Sequence, residues 1–447
     1  MLAEQEKAQL KRTAVEKIIA HWASNEDLAK GPKIFESGQG CYLTDIDGNR
    51  YLDTFSSLIT SIWGHSQPEL VEAAVEQLRK LQFFPNYHDG FTVPLVQLAD
   101  ALTEVFPNGL DRYFFVTSGT EANSTALKMA RQYHHMNGQG QRYKVIARKD
   151  SYHGTTLDMA SYTGFTALRE FNEPLIPGAR FAMAANCSRC ELEKDPSTCN
   201  TACLRAMERL IEFEGPASIS AMIMDPLPGS NSGYPPPPEG YLQGIRDLCD
   251  KHGILLIFDE VQTGFGKTGK WFACEHWNVT PDFLTTSKSL AAGYLPLSVV
   301  GTSRKIADTF KKDGQEFRSG GTFGGNPVSC AVALANIELM RKKDLLGQVA
   351  QSSKIVEQGL KALVDKYEFA KDYRGMGMLW ALILEADPAI KLGTFIRDWC
   401  WDRNMILRNN GDIIVIAPSL NMPREDIDTM LNNIGGAIEA AKERFGL

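Results

Sequence analysis

No run of this chain reaches the roughly eighteen consecutive apolar residues that a membrane-spanning helix needs, so an integral helical membrane protein is excluded. Basic residues are too few to make a positive field: 47 Lys and Arg against 54 Asp and Glu leave a net charge of -7, which offers nucleic acid no electrostatic footprint. The amino terminus, from Met1 to Arg12, mixes charges of both signs and lacks the apolar stretch of a secretory signal. The nine cysteines are odd in number and scattered, which argues against a disulfide framework and makes the cytoplasm the expected compartment. Internal repeats and low-complexity tracts are lacking too. With 43% hydrophobic and 23% charged residues the composition is that of a globular protein, and 447 residues suit two domains better than one core.

Five cysteines read as small core residues. The other four, Cys187, Cys190, Cys199 and Cys203, fall in a polar insertion with the spacing C-x2-C-x8-C-x3-C. That pattern could wrap zinc, although its middle spacing is not that of a standard zinc finger; the alternative is a loop with free or redox-active thiols.

The chain is organised around Ile254 to Lys288. Two apolar runs, Ile254-Leu-Leu-Ile-Phe258 and Phe283-Leu-Thr-Thr-Ser287, end in Asp259 and Lys288 and read as parallel strands buried on both faces. They deliver an acid and an amine to the carboxyl edge of a sheet, where open α/β folds bind ligands. Taken alone, a buried Asp and Lys are most often a salt bridge rather than a catalytic pair. Upstream, a strand at 111–116 feeds a helix through Thr117-Ser118-Gly119-Thr120-Glu121-Ala122-Asn123. Free backbone N–H groups and hydroxyls at a positive helix terminus make either an anion site or an ordinary N-cap. Tyr152, beyond a strand at 143–148, can stack on a flat ring; His153 beside it reads as structural or as support for another group. Gly264 to Gly269 satisfies G-x-G-x-x-G, but no helix follows directly and the next strand ends at Lys288, so a nicotinamide oxidoreductase is disfavoured and the glycines read as a flexible loop.

The remaining pattern predicts an amphipathic helix over 3–23, carrying Leu10, Val15, Ile18, Ile19 and Trp22, and a hairpin near 40–53 turning at Asp47-Gly48. Helices are expected at 67–81, 94–105 and from Pro327 to about Met340, and a strand at 219–226. A terminal α+β region would pair Met405–Arg408 with Ile413–Ile416 and hold a further strand at 379–384.

Several segments together resemble the class III pyridoxal phosphate (PLP) aminotransferases: Asp259-Glu-Val-Gln-Thr-Gly264, Thr285-Thr-Ser-Lys288-Ser-Leu, Ser118-Gly-Thr-Glu-Ala-Asn123, the Gly64-His65 turn, and Gly321-Thr322-Phe-Gly-Gly-Asn-Pro327. The resemblance covers nearly the whole chain, with its motifs in family order. It implies a fold type I enzyme of α/β class with a mostly parallel seven-stranded sheet. The large PLP-binding domain would span 62–325, and a small α+β domain would be built from 1–61 and 326–447. Lys288 would hold the cofactor as a Schiff base and move the proton; Asp259 would keep its pyridine nitrogen protonated. Ser118, Gly119 and Thr120 would cradle the phosphate, Tyr152 and Val261 would lie against the ring, and Gln262 would hold the phenolic oxygen. Thr322 would reach the phosphate of a partner subunit in a homodimer with shared sites. Ser57 and Leu58 are implied as walls of the substrate pocket. Arg408-Asn-Asn-Gly-Asp412 is similar to a segment of the ω-amino acid and amine:pyruvate members, which implies Arg408 as a mobile carboxylate clamp. The expected reaction is ping-pong transfer from an amine or ω-amino acid, such as β-alanine or taurine, to a keto acid, with pyruvate foremost. An epimerase or aminomutase of the same fold is the alternative.

Overall fold

The computed structural model describes residues 2–447. Its first sheet starts as an antiparallel ribbon of β1 (Phe35–Gln39), β2 (Tyr42–Asp45) and β3 (Arg50–Asp53). The expected hairpin turns at Gly48, whose φ of +86° disfavours a side chain, and the Asp45 carboxylate accepts from the N–H groups of Asp47 and Asn49 to hold the turn.

Seven strands form the central sheet: β4 (Arg112–Val116), β5 (Lys144–Arg148), β6 (Ala179–Ala182), β7 (Ile219–Met224), β8 (Leu255–Asp259), β9 (Phe283–Thr286) and β10 (Ser298–Thr302). Their order is β4-β10-β9-β8-β7-β5-β6, and β10 alone runs against its neighbours. Every residue of β7, β8, β9 and β10 is buried, the reason those segments read as near-continuous apolar runs rather than alternating ones.

Toward the carboxyl end come β11 (Ala370–Met376), β12 (Leu379–Leu384), β13 (Met405–Ile406), β14 (Arg408–Asn410) and β15 (Ile413–Ile416). The single strand expected at Met405–Arg408 is instead two. Met405 and Ile406 pair in parallel with Leu52 and Asp53 of β3, whereas Arg408–Asn410 form a hairpin with β15. The chain crosses between sheets at the buried Leu407, so segments from near both ends share one sheet.

Two further expectations are corrected. The first helix is Glu4–Lys17, not 3–23: Ile18 is extended, no residue of the helix is buried, and Ile18, Ile19 and Trp22 lie exposed. Its apolar side has no surface to pack on within one chain, and packing is what usually sustains a helix. The glycine-rich loop is packed rather than flexible. Glu260, fully buried, accepts from the backbone N–H groups of Ala273 and Cys274 and from the Thr263 hydroxyl, which ties the loop's two ends together. Phe265 and Lys267 of the loop itself, and Phe272 just beyond it, are buried. Among the described residues no helix is long and apolar enough to cross a membrane.

Candidate active site

Asp259 ends β8 and lies opposite Thr285 in the parallel register, three residues before Lys288. Both side chains line one cavity of about 430 Å³ at the carboxyl edge of the sheet, together with Ser118, Gly119, Thr120, Tyr152, Val261 and Gln262. Lys288 has a φ of +32°, a left-handed conformation that a residue with a side chain holds only when its surroundings impose it. Burial pushes its amine below the ordinary lysine range, against the opposing pull of Asp259.

The helix Gly119–Met136 opens on one wall. Ser118 caps it, its hydroxyl oxygen accepting from the Glu121 N–H at 3.2 Å, while the Glu121 carboxylate accepts from the N–H groups of Ser118 and Thr117. The capping box is therefore real, and it coexists with first-turn N–H groups at Gly119 and Thr120 that a helix cannot satisfy internally. Gly119 has to be glycine here: a Cβ would stand 2.8 Å from Val261 Cγ2.

The carboxylate of Asp259 is completely positioned. Its Oδ2 accepts from Asn123 Nδ2 at 2.7 Å and from His153 Nδ1 at 2.8 Å; its Oδ1 accepts from the Val261 N–H at 3.0 Å. His153 is thus committed to Asp259 rather than free as a base. Gln262 Oε1 accepts from the Ser230 N–H, which leaves its NH2 as the end able to donate. Asp225, which also lines the cavity, is neutralised by Arg148 Nη2 at 2.8 Å and accepts from the Gly229 N–H.

Other expected residues stand outside the cavity. Ser57 and Leu58 belong to a left-handed turn in which Ser56, Ser57, Leu58 and Ile59 have φ of +40°, +45°, +69° and +64°. Such a turn costs roughly 1–2 kcal/mol per residue, and it is held by the buried Asp53, whose carboxylate accepts from Phe55 N–H, Ser57 N–H, Ser57 hydroxyl and His65. Leu58 sits exposed on its crest, and Thr60 at its end is the residue that lines the cavity. Thr322 and Arg408 are exposed and do not line the cavity. Cys187, Cys190, Cys199 and Cys203 do converge on one small separate cavity, yet as placed no group of three or more His, Cys, Asp or Glu among the described residues could hold a metal ion.

Asn123, His153, Asp225 and Thr60 are the site residues that sequence reasoning did not assign. Two carried a signal, His153 as a polar neighbour of Tyr152 and Asn123 as the last residue of the Ser118–Asn123 motif; Asp225 and Thr60 are brought in by tertiary contacts.

A helix terminus with open N–H groups, a glycine kept bare for a packed valine, a fully hydrogen-bonded carboxylate, an aromatic wall and a buried amine fit a flat, anionic, carbonyl-bearing cofactor. The chain belongs to the class III aminotransferases, whose family it matches over residues 25–438, and with them it is a PLP-dependent enzyme of fold type I. It is 35% identical to an adenosylmethionine-8-amino-7-oxononanoate aminotransferase of Nitratidesulfovibrio vulgaris, over 92% of this chain and 78% of that protein. It is 33% identical to a putrescine–pyruvate aminotransferase of Pseudomonas aeruginosa, over 90% and 89%. The crystal structure of an (S)-enantioselective omega-transaminase from Thermomicrobium roseum superimposes with a TM-score of 0.93 at 33% identity, covering 97% of this chain and 98% of that one.

Proposed function

We propose that this aminotransferase takes its amino group from an amine or ω-amino acid and passes it to pyruvate by a ping-pong mechanism, as a cytoplasmic homodimer with shared active sites. The observation that carries the substrate reading is the cavity lining, in which Lys288 is the sole Lys or Arg among the described residues. An uncharged amine tail is welcome in such a cavity, whereas a carboxylate needs a cation brought from outside. Arg408, exposed at the start of the β14–β15 hairpin and engaged in no ion pair among the described residues, is the group proposed to swing in for it. The names of the putrescine–pyruvate relative and of the omega-transaminase support the same amine and acceptor classes.

When bound, PLP supplies a reactive carbonyl and an electron sink. Lys288, whose amine burial shifts below the ordinary lysine range, would hold the cofactor through that carbonyl and would carry the proton between the substrate carbon and the cofactor. Asp259, fixed by its three donors, would keep the ring nitrogen protonated; Tyr152 and Val261 would enclose the ring, and the first turn at Gly119 and Thr120 with Ser118 would take the phosphate. Residues 62–325 form the cofactor-binding domain in this reading, with 1–61 and 326–447 as the smaller one, supported by the β13–β3 pairing. A second copy is supported by exposed apolar residues near Thr322: Phe323 packs on Phe83, and Phe84, Phe91, Val93 and Val96 are exposed.

The test is product analysis with PLP, pyruvate and, in turn, putrescine, β-alanine or taurine. Stoichiometric alanine is expected with at least one donor. Glutamate formed from 2-oxoglutarate but no alanine from pyruvate would replace the acceptor, and isomerised amine without any keto-acid requirement would make the enzyme an aminomutase or epimerase.

A further inference from the structure

Asn123 touches more of the cofactor-holding elements than any role as a helix residue requires. It lies one turn into the helix Gly119–Met136, 1% exposed. Its Nδ2 donates to Asp259 Oδ2 at 2.7 Å and to the His153 carbonyl at 3.0 Å, and its Oδ1 accepts from the Thr285 hydroxyl at 2.6 Å. Two acceptors on one side and one donor on the other fix the amide's orientation, since the flipped amide would set its oxygen against a carboxylate and a carbonyl. Four elements therefore meet in this side chain: the first-turn helix that offers N–H groups to an anion, the 152–153 loop that carries the aromatic wall, the end of β8 with Asp259, and β9, which leads to Lys288.

We infer that Asn123 is a positioning residue of the aminotransferase reaction, a buried amide bracket that keeps the Asp259 carboxylate aimed while locking it in register with the phosphate-side helix and with the strand that presents Lys288. The inference rests on the reading of Asp259 as the partner of the cofactor's ring nitrogen. Buried, fully satisfied polar networks rigidify a site, and losing one member leaves the others unpaired. The charged or titratable groups around the bracket are Asp259 on β8, His153 on the neighbouring loop, Lys288 beyond β9, and Asp158, which accepts from the adjacent Ser124.

The discriminating variant is Asn123→Asp, which keeps the shape and places a second carboxyl against Asp259. Two facing carboxyls cannot both ionise freely, so one pKa rises. Below it, the protonated Asp at 123 donates to Asp259 as the amide did; above it, the two repel. Apoenzyme is titrated with PLP, following cofactor absorbance, between about pH 5.5 and 8.5, and each dissociation constant is divided by the wild-type value at the same pH. For Asn123→Asp the ratio should fall from roughly 100 at the alkaline end to about 3 at the acidic end. Asn123→Leu should give a ratio of about 10 that does not change with pH, because it removes the donor without adding a titrating group. An Asn123→Asp ratio independent of pH, or an Asn123→Leu protein with wild-type affinity, overturns the inference. Should circular dichroism show Asn123→Asp unfolded at alkaline pH, Thr285→Val decides. It should weaken PLP about threefold, and by no further factor once Asn123→Leu is present; independent, multiplying losses overturn the bracket. Asp259→Asn separates the two levels: full turnover in that variant sinks the reading of Asp259, whereas lost turnover there combined with a pH-independent Asn123→Asp sinks only the bracket.

Discussion

The cofactor side and the substrate side of this site are built differently. Around Asp259 every polar contact closes within one chain: Asn123, His153 and the Val261 N–H hold the carboxylate, and Ser118 and Glu121 hold the helix that opens beside it. The residues expected to meet substrate or to complete the phosphate site are exposed and outside the cavity, on a strained left-handed turn, a hairpin and a glycine-rich loop. A rigid, self-contained half can hold the cofactor in the same place for every substrate. A half made of exposed, extensible or strained parts can change with the substrate, or be finished by a second subunit.

Breaking the self-contained half should have the largest effect. Lys288→Ala removes the amine that captures the carbonyl and carries the proton, so turnover should fall by about 10⁴-fold or more, while the cradle at Ser118–Thr120 remains and PLP binds within about tenfold of wild type. Equilibrium dialysis and steady-state rates check both; multiple turnover at wild-type rate in this variant ends the assignment. On the other side the effect should be smaller and selective. Arg408→Ala should raise KM for pyruvate about 10- to 100-fold through the lost bidentate carboxylate grip, yet change the half-reaction with a carboxylate-free amine by less than about threefold. Stopped-flow measurement of the two half-reactions separately distinguishes this from a general loss, and equal changes in both would return Arg408 to an ordinary surface arginine.

The weakest effect concerns stability. Burial raises Glu260 to about 7 despite the donors from Thr263, Ala273 and Cys274. The folded state therefore binds this proton more tightly than the unfolded one, and stability should fall as pH rises from the ordinary carboxyl range through about 7. Denaturant midpoints across that window should decline, and Glu260→Gln, less stable at acidic pH for lack of a second acceptor oxygen, should show a flatter profile. A decline of the same slope in the variant would assign the titration to another group.

The legible parts of this architecture are those whose cause is local. The β8 and β9 runs announce themselves because strands covered on both faces must be apolar throughout, and the Ser118–Glu121 capping box because its two residues satisfy each other at fixed spacing. Asn123 closes the Ser118–Asn123 motif, yet a polar residue inside a helix says nothing of a carboxylate 136 residues away, so its role was not legible. The left-handed turn at Ser56–Ile59 contains no glycine to mark it; Asp53 imposes it from the preceding strand. Glycine content suggested a mobile loop at 264–269, and the buried Glu260 made it a packed one. The break at Leu407 is likewise set by which sheet lies within reach, not by any residue in the run.

The contrast between the two halves is tested most directly by mixing subunits. Lys288→Ala and Thr322→Ala homodimers are each deficient in every site, but if Thr322 serves the partner's phosphate site, a mixed dimer contains one site with both residues intact. After verified subunit exchange, activity should exceed the sum of the two parents, approaching about one quarter of wild type when half the dimers are mixed and each has one working site. Activity equal to that sum would place Thr322 in its own chain's site or outside any site, and would contradict an active site whose exposed part is completed by the second subunit.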